Sequence, residues 1–395
     1  MKIRAVLLLS VLLVASGVGA TPEPSLIKAR HLVFGAENVN ARTGEVDHEN
    51  VIFSWLTNAT LAVSIRGRIV LLDTYVHRAE MAPGRTPFVV EDLLSLKPEA
   101  LFLGHGHFDH ADNAAFLSGE LGIPIFASAE TCVDMQTDAR ALFNAGTPGI
   151  GAPHVDCHDV TSLGSEPGAE VVKIQALEPV ASITAFRHLH SGTSYPELGF
   201  PITPVNNTAD PRDPDMYPPG MPHSYPAARG AGGPVSIYYQ FVVRGENSFT
   251  FVWHNTTGDL QNGCTIDRGV PNCWGPRVAK QVEARIRALP PTDLEFGSMV
   301  SLGYKVNGMR DPIQNSAALR PKVYVPIHQT NAALPTSSLY FKVAYLKQLG
   351  QMIPALTPSE RPEARWMVDP DDYLKPMVYE PKDPRWAKAQ EHDDD

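Results

Sequence analysis

A crowded set of histidines directly after an apolar run constrains this chain more than any other feature. The stretch LFLGHGHFDHADNAAF, residues 101–116, holds three imidazoles and one carboxylate within six positions: His105, His107, Asp109 and His110. Side chains two residues apart on an extended chain project to the same side, so His105 and His107 share a face. Glycines leave room for a tight turn, after which Asp109 and His110 enter a helix and point back to the same spot. Such donors at the end of a buried strand predict a site for one or two metal ions.

Strand and helix patterns alternate around this cluster. Residues 51–73 alternate apolar and polar side chains, which predicts a hairpin that turns at Arg66-Gly67-Arg68 and ends on Asp73. We predict further strands at residues 100–103, 124–127, 171–177, 181–190, 236–245, 248–255, 294–300 and 322–327, and helices at 91–96, 111–121, 277–289 and 339–349. Two halves of similar order predict two sheets packed face to face with helices outside, which is a layered α/β fold.

Residues 200–235 separate the two halves with a segment rich in proline and glycine. This composition argues against a helix or a central strand. It leaves open a disordered insertion and a loop that covers a cleft, in which Tyr217, His223 and Tyr225 are candidate substrate contacts. Because the flanking strands fit one core, we predict a single domain over residues 21–395 that contains this insertion.

The first twenty residues, MKIRAVLLLSVLLVASGVGA, have the pattern of a secretory signal peptide. Lys2 and Arg4 precede an unbroken apolar stretch, and small residues at Val18 and Ala20 favour cleavage after Ala20. The stretch is too short for a spanning helix, although a buried or membrane-retained N-terminal helix stays open as the other interpretation. No later stretch is long and apolar enough to cross a bilayer. We therefore expect a secreted or periplasmic protein without a stable membrane anchor.

Charge and cysteine content agree with export. Removal of the two cations in the signal segment takes the formal net charge from −10 to −12. A chain this acidic repels phosphate backbones, which disfavours nucleic acid as a partner and favours a small-molecule substrate. Four cysteines allow three disulfide connectivities, of which we prefer Cys264 with Cys273 and Cys132 with Cys157. None has the CxxC spacing of a metal site.

The motif HxHxDH after an apolar strand resembles the metallo-β-lactamase superfamily of metallohydrolases, and the resemblance extends over most of the mature chain. That superfamily has five landmarks in order: an aspartate ending a strand, HxHxDH, a histidine at a later strand end, an aspartate after an apolar strand and a final histidine. They fall on Asp73 in VLLDT, on residues 105–110, on FRHLHS, on FVWHNTTG and on His328 in VYVPIHQT. Four of the five agree in residue type, order and setting. The resemblance implies an αββα sandwich of two mixed β-sheets with helices on the outer faces.

The resemblance also implies two sets of metal ligands: His105, His107 and His190 for one ion, and Asp109, His110 and His328 for the other. His188 and His190 share a strand face, so either could supply the third landmark. We favour His190 because it lies closer to the strand end and precedes a serine. His188 would then line the pocket or support a ligand. Asp73 would orient the cluster through hydrogen bonds.

The fourth landmark departs from the superfamily pattern, because Asn255 stands where many members carry a metal-bridging aspartate. An amide oxygen is a weaker ligand than a carboxylate, so the second ion should be held less tightly. Asp259 and His254 are candidate replacements if the loop folds differently. With Asn255 as a ligand, Asn255→Asp is expected to raise the occupancy of the second ion. Some β-lactamases of this superfamily use the six other ligands alone.

The resemblance implies hydrolysis. His107 stands where the flavin-linked di-iron oxidoreductases of the superfamily place glutamate, which favours hydrolysis over oxygen chemistry. Zn²⁺ is the expected metal for a histidine-rich shell. A metal-bound hydroxide would attack a carbonyl or phosphoryl centre, and Asp109 would help to orient it. Candidates for the group that protonates the leaving atom are His188, His254 and Tyr304.

The substrate class follows from a missing signature. The β-lactamase and thioesterase branches commonly show Gly-His-Thr-Pro-Gly at the third landmark, which FRHLHSGTS lacks. The chain is more similar to the broad branch that contains lactone hydrolases and phospholipase D-like phosphodiesterases. We therefore expect a small-molecule or lipid-derived ester, lactone, amide or phosphodiester as substrate. A β-lactam hydrolase of the same fold and a non-catalytic exported protein that binds metal or ligand remain alternatives.

Overall fold

The computed structural model describes nine stretches of the chain: residues 24–76, 88–192, 232–267, 270–299, 309–328, 336–353, 356–357, 361–367 and 372–386. Several sequence predictions fall on other residues and lie outside the described part: the signal peptide, most of the 200–235 segment, Tyr217, His223, Tyr225 and Tyr304. Within the described part, no helix is long and apolar enough to cross a membrane.

The first sheet has seven strands in the order β16-β1-β2-β3-β4-β5-β6. Their bounds are β1 Val51–Thr57, β2 Thr60–Ile65, β3 Arg68–Leu72, β4 Ala100–Phe102, β5 Ile125–Ala127, β6 Cys157–Asp159 and β16 Met377–Tyr379. Pairing is antiparallel from β16 to β3 and parallel from β3 to β6, so the sheet is mixed. The predicted hairpin turn over residues 66–68 is the β2–β3 connection.

The second sheet repeats this plan with the order β15-β14-β13-β10-β9-β8-β7. Its strands are β7 Val172–Ile174, β8 Ala181–His188, β9 Ser236–Val243, β10 Thr250–His254, β13 Leu294–Ser298, β14 Val323–Ile327 and β15 Glu363–Ala364. Pairing is antiparallel from β7 to β10 and parallel from β10 to β15. A separate two-stranded ribbon joins β11 Cys264–Asp267 to β12 Val270–Cys273.

Helices cover the outer faces of the two sheets. Their bounds are α1 Pro24–Phe34, α2 Val90–Leu96, α3 Phe108–Ala111, α4 Ala114–Leu121, α5 Ala129–Asn144, α6 Pro276–Arg287, α7 Arg310–Leu319 and α8 Thr336–Met352, with short 3-10 turns at Ala36–Asn38 and Pro384–Trp386. The amphipathic pattern of α6 places Val278, Val282 and Ile286 against Phe186 and Tyr238 of the second sheet. The predicted αββα sandwich is confirmed.

Aromatic side chains join the two sheets face to face. Phe53 of β1 meets Phe251 of β10 and Phe296 of β13, with ring centroids 4.8 Å and 4.7 Å apart. Phe102 of β4 meets Phe241 of β9 at 5.3 Å. All five rings are fully buried, and removing one such ring typically costs about 3–5 kcal/mol of folding free energy. This core fixes the sheet ends that carry the candidate site.

Three helices were not predicted, and one predicted helix begins later than expected. The helix expected over residues 111–121 is α4, which begins at Ala114 because Asn113 adopts a left-handed backbone (φ 73°) between it and the short helix α3. The helices α1, α5 and α7 have no counterpart in the sequence predictions. The predicted disulfides are both present: Cys132–Cys157 ties α5 to β6, and Cys264–Cys273 closes the β11–β12 ribbon.

Candidate metal centre

The predicted ligands and Asp73 come together where five strands end. Asp73 directly follows β3, and the segments that bear the predicted ligands directly follow β4, β8, β10 and β14. Because the core fixes these strand ends in both sheets, residues far apart in sequence meet at one place. Two triads of donor atoms result, each with its three atoms within 4.8 Å of one another. The first triad is His105, His107 and His190, and the second triad is Asp109, His110 and His328.

The first triad consists of three ring nitrogens. His105 Nε2 lies 3.0 Å from His107 Nδ1 and 3.3 Å from His190 Nε2. Three nitrogens that bind one zinc ion tetrahedrally at 2.0–2.1 Å lie about 3.3 Å apart. The triad therefore has the spacing of a zinc shell. The structure places His190, and not His188, beside His105 and His107.

The second triad combines two rings with a carboxylate. His110 Nε2 lies 3.0 Å from His328 Nε2, and Asp109 Oδ2 lies 3.5 Å and 3.6 Å from these two nitrogens. The ring of His110 is fully buried, whereas the side chains of His328 and Asp109 are 15% and 26% exposed. This triad is therefore open to solvent on one side, as a site that admits substrate must be.

Hydrogen bonds behind the rings leave lone pairs at the front. His190 Nδ1 faces the main-chain oxygen of Ser191 at 2.6 Å, so Nδ1 carries the hydrogen and Nε2 of the neutral ring is bare. His110 Nδ1 donates to Asp73 Oδ2 at 2.6 Å, and His105 Nδ1 donates to Asn255 Oδ1 at 2.8 Å. With the hydrogen on Nδ1 in both neutral rings, Nε2 of His105 and Nε2 of His190 face each other at 3.3 Å with a lone pair on each atom. A cation between them satisfies both, so this donor set fits a metal ion.

Asp73 and Asn255 form a relay that orients one histidine of each triad. Asn255 Nδ2 donates to Asp73 Oδ2 at 2.8 Å, while Asn255 Oδ1 accepts from His105. The same Asp73 oxygen accepts from His110, and the other accepts from the main-chain N–H of Gly104 at 3.0 Å. Asp73 thus contacts one ring of the second triad directly and one ring of the first triad through Asn255.

The placement of Asn255 departs from the ligand role expected for it. Its amide lies on the Nδ1 side of the His105 ring, whereas the other two ligand atoms of the first triad lie on the Nε2 side of that ring. Gly104 makes room for it, since a Cβ there would lie 2.2 Å from Asn255 Cγ. Asp259, the candidate replacement, pairs with Arg310 at 3.0 Å instead of joining a triad.

Burial shifts two of these groups away from their charged forms. It lowers the pKa of His105 well below its usual range, and the neighbouring histidines lower it further. It also raises the pKa of Asp73, against the opposing effects of His110 and the hydrogen bonds. A neutral His105 keeps its Nε2 lone pair available as a ligand.

His188 and His254 lie in a different environment. Both rings pack beside Tyr238, on the face of the second sheet that α6 covers, with centroid distances of 5.4 Å and 4.8 Å to its ring. His254 Nε2 lies 3.0 Å from Glu295 Oε1, and all four side chains are buried. We call these four residues the helix-side cluster. This placement does not favour the roles considered for His188 and His254 as proton donors.

Sequence reasoning missed Asn58, which contacts the second triad. Its Nδ2 donates to the main-chain oxygen of Asp109 at 2.7 Å and lies 3.3 Å from Asp109 Oδ2. Asn58 falls inside the alternating pattern of residues 51–73, where an asparagine indicates at most a turn.

Comparisons with known proteins find structures but no sequence family. No family model matches the sequence, and no curated protein matches it significantly. Igni18, a metallo hydrolase from the hyperthermophilic archaeon Ignicoccus hospitalis, is 13% identical over 84% of this chain and 99% of its own, with a TM-score of 0.46. The diiron β-hydroxylase CmlA from Streptomyces venezuelae is 12% identical, with a TM-score of 0.42, over 85% of this chain and 55% of its own.

A β-lactamase also matches. BJP-1, a subclass B3 metallo-β-lactamase of Bradyrhizobium japonicum, is 12% identical over 78% of this chain and 94% of its own, with a TM-score of 0.34. Metallo-hydrolases and metallo-β-lactamases are the class that the sequence resembles. At these scores, the metal and substrate of those proteins say nothing about those of this chain.

Proposed function

We propose that this chain is an exported zinc-dependent hydrolase of a small-molecule or lipid-derived ester, lactone, amide or phosphodiester. The convergence of the two triads carries the proposal. In three of their rings, Nδ1 donates its hydrogen to an acceptor behind the ring. Nε2 of the neutral ring then carries no hydrogen and faces the other ligands of its triad. Zinc bound there would lower the pKa of a coordinated water from 15.7 to about 7 and would polarise the electrophile.

The side chains of this chain supply orientation and access. His105 and His110 hold their positions through the Asp73–Asn255 relay, and His190 holds its position through the Ser191 main-chain oxygen. Asp109, with its carboxylate partly exposed, can both ligate and accept a hydrogen bond from the attacking water. His188 and His254 pack on the α6 face, so the proton donor to the leaving group belongs elsewhere.

Export and substrate class rest on separate observations. Two disulfides support an oxidising compartment, either secreted or periplasmic. The net charge of −10 disfavours nucleic acid and supports a small-molecule substrate instead. The absence of the Gly-His-Thr-Pro-Gly signature disfavours a β-lactam or thioester substrate.

Metal analysis beside a hydrolysis screen tests the proposal. The purified chain should retain zinc and hydrolyse at least one lactone, ester, amide or phosphodiester. His107→Ala should lose both the first ion and the turnover. His158→Ala is the matched control, because His158 is exposed and lies outside both triads.

Two outcomes favour the alternatives. Turnover of β-lactams alone would identify a β-lactam hydrolase of the same fold. Tight zinc with no turnover on any of these substrates would identify a non-catalytic metal-binding protein and overturn the proposal.

A further inference from the structure

Asn58 joins the first sheet to two members of the second triad. It lies in the tight turn between β1 and β2, where it is 5% exposed. Its side-chain Nδ2 donates to the main-chain oxygen of Asp109 and lies within reach of the Asp109 carboxylate. Its own main-chain oxygen accepts the N–H of His328 at 2.8 Å.

Both partners need such support. Asp109 belongs to a helix of four residues, which is too short to hold a side chain by its own hydrogen bonds. His328 follows the end of β14 with a left-handed backbone (φ 68°), a conformation that costs free energy for a residue other than glycine. Neither element alone fixes the spacing between the carboxylate and the ring.

Asparagine suits this position for two reasons. Its backbone is left-handed (φ 50°), which asparagine tolerates better than most residues. Its amide supplies N–H donors that a glycine in the same conformation lacks. The indole N–H of Trp55 also donates to the Asn58 main-chain oxygen at 2.9 Å, which holds the turn in place.

We infer that Asn58 is a positioning residue that sets the affinity of the second triad for its ion, an inference that rests on the proposed function. Within the described residues, no hydrogen bond from Asn58 reaches the first triad. The inference therefore predicts selective weakening of one ion. A general loss of folding would weaken both ions.

Asn58→Gly is the direct test, because glycine accepts the left-handed backbone and keeps the main-chain contacts to His328 and Trp55. Asn113→Gly is the matched control. Asn113 is also a buried left-handed asparagine, and its Nδ2 donates at 3.0 Å to the main-chain oxygen of Thr74, a residue outside both triads. Zinc titration of the full metal-free chain by calorimetry would resolve two binding steps.

The expected result is a second-step dissociation constant raised about 10–100-fold in Asn58→Gly, the usual effect of losing a hydrogen bond to a metal ligand. The first step should change less than about threefold, as should both steps in Asn113→Gly. Turnover lost in Asn58→Gly should return when free zinc is raised, which a folding defect would not allow.

Four results separate the inference from the proposed function. Parent chain that binds no zinc would overturn both. Parent chain with two ions and Asn58→Gly with unchanged zinc binding would overturn only the positioning role. Equal weakening of both steps in Asn58→Gly, or turnover that added zinc does not restore, would likewise assign Asn58 a structural role alone.

Discussion

Two histidine clusters lie at the ends of β8 and β10, and they differ in what their ring nitrogens face. In the triads, Nδ1 of His105, His110 and His190 faces a hydrogen-bond acceptor, and Nε2 faces the other metal-ligand atoms of its triad. In the helix-side cluster, both nitrogens of His254 face acceptors: the main-chain oxygen of Thr256 at 2.9 Å and the Glu295 carboxylate at 3.0 Å. Both ring nitrogens of His254 are therefore engaged with protein oxygens.

The difference teaches that burial and histidine content do not define a ligand. Both clusters contain buried histidines, and both contain rings in contact with other rings. What separates them is the direction of the remaining lone pairs. The donor atoms of each triad converge on one small volume where a cation can bind, whereas His254 and Glu295 of the helix-side cluster face each other, and Glu295 Oε2 accepts from Ser316 of α7 at 2.8 Å.

Breaking the His254–Glu295 pair should cause the largest change in stability. Glu295→Gln removes the charge that the buried ring faces, and loss of one member of a buried pair typically costs about 3–5 kcal/mol. We expect the free energy of unfolding of the metal-free chain to fall by about 3 kcal/mol in denaturant titration, with zinc content unchanged.

A surface pair provides the control for that measurement. Glu283→Gln breaks an exposed i,i+4 pair with Arg287 and should change the stability by less than about 0.5 kcal/mol. If Glu295→Gln lost zinc while keeping its stability, the helix-side cluster would belong to the metal centre and the contrast between the clusters would fail.

Substitution of the relay residue Asn255 should have the next largest effect, which is on zinc binding. Asn255→Leu removes the acceptor behind His105, so zinc binding by the first triad should weaken about tenfold, as measured by competition with a chelator.

Asn255→Asp keeps an acceptor for His105 but places a second carboxylate 2.8 Å from the Asp73 oxygen, where the two must share a proton or separate. We expect no gain in second-ion occupancy, contrary to the expectation from sequence. A gain would restore Asn255 as a ligand.

The local part of the site was predictable from sequence, since it depends on neighbours along the chain. The spacing of His105 and His107 on an extended segment and the helix start at Phe108 place their donors as expected. The layered fold followed from alternating strand and helix patterns, although the helices α1, α5 and α7 were missed. Long-range partners were known only through the resemblance, because nothing in a single sequence states which strand ends meet.

Two features could not be predicted for physical reasons. Strand alternation puts His188 and His190 on one face, but β8 ends at His188, so the rule stops applying before His190. At position 255, an asparagine that binds the metal and an asparagine that hydrogen-bonds to a histidine ligand look the same in the sequence. Only the direction of its hydrogen bonds, to His105 on one side and Asp73 on the other, separates these roles.

Substitution of His188 should have the smallest effect on stability, zinc content and turnover, in contrast with the same substitution of His190. His188 Nε2 is buried without a hydrogen-bond partner in the described part of the chain, as is Ser236 Oγ directly opposite on β9. Burial accordingly lowers the pKa of His188 well below its usual range. His188→Leu removes an unsatisfied polar atom at similar volume, so we expect the free energy of unfolding to change by less than about 1 kcal/mol, with zinc and turnover retained.

The same substitution two residues later, His190→Leu, removes a ligand nitrogen of the first triad and should abolish turnover. Equal loss of turnover in both variants would place His188 at the reacting centre, and the lone-pair criterion for telling ligands from structural histidines would be wrong.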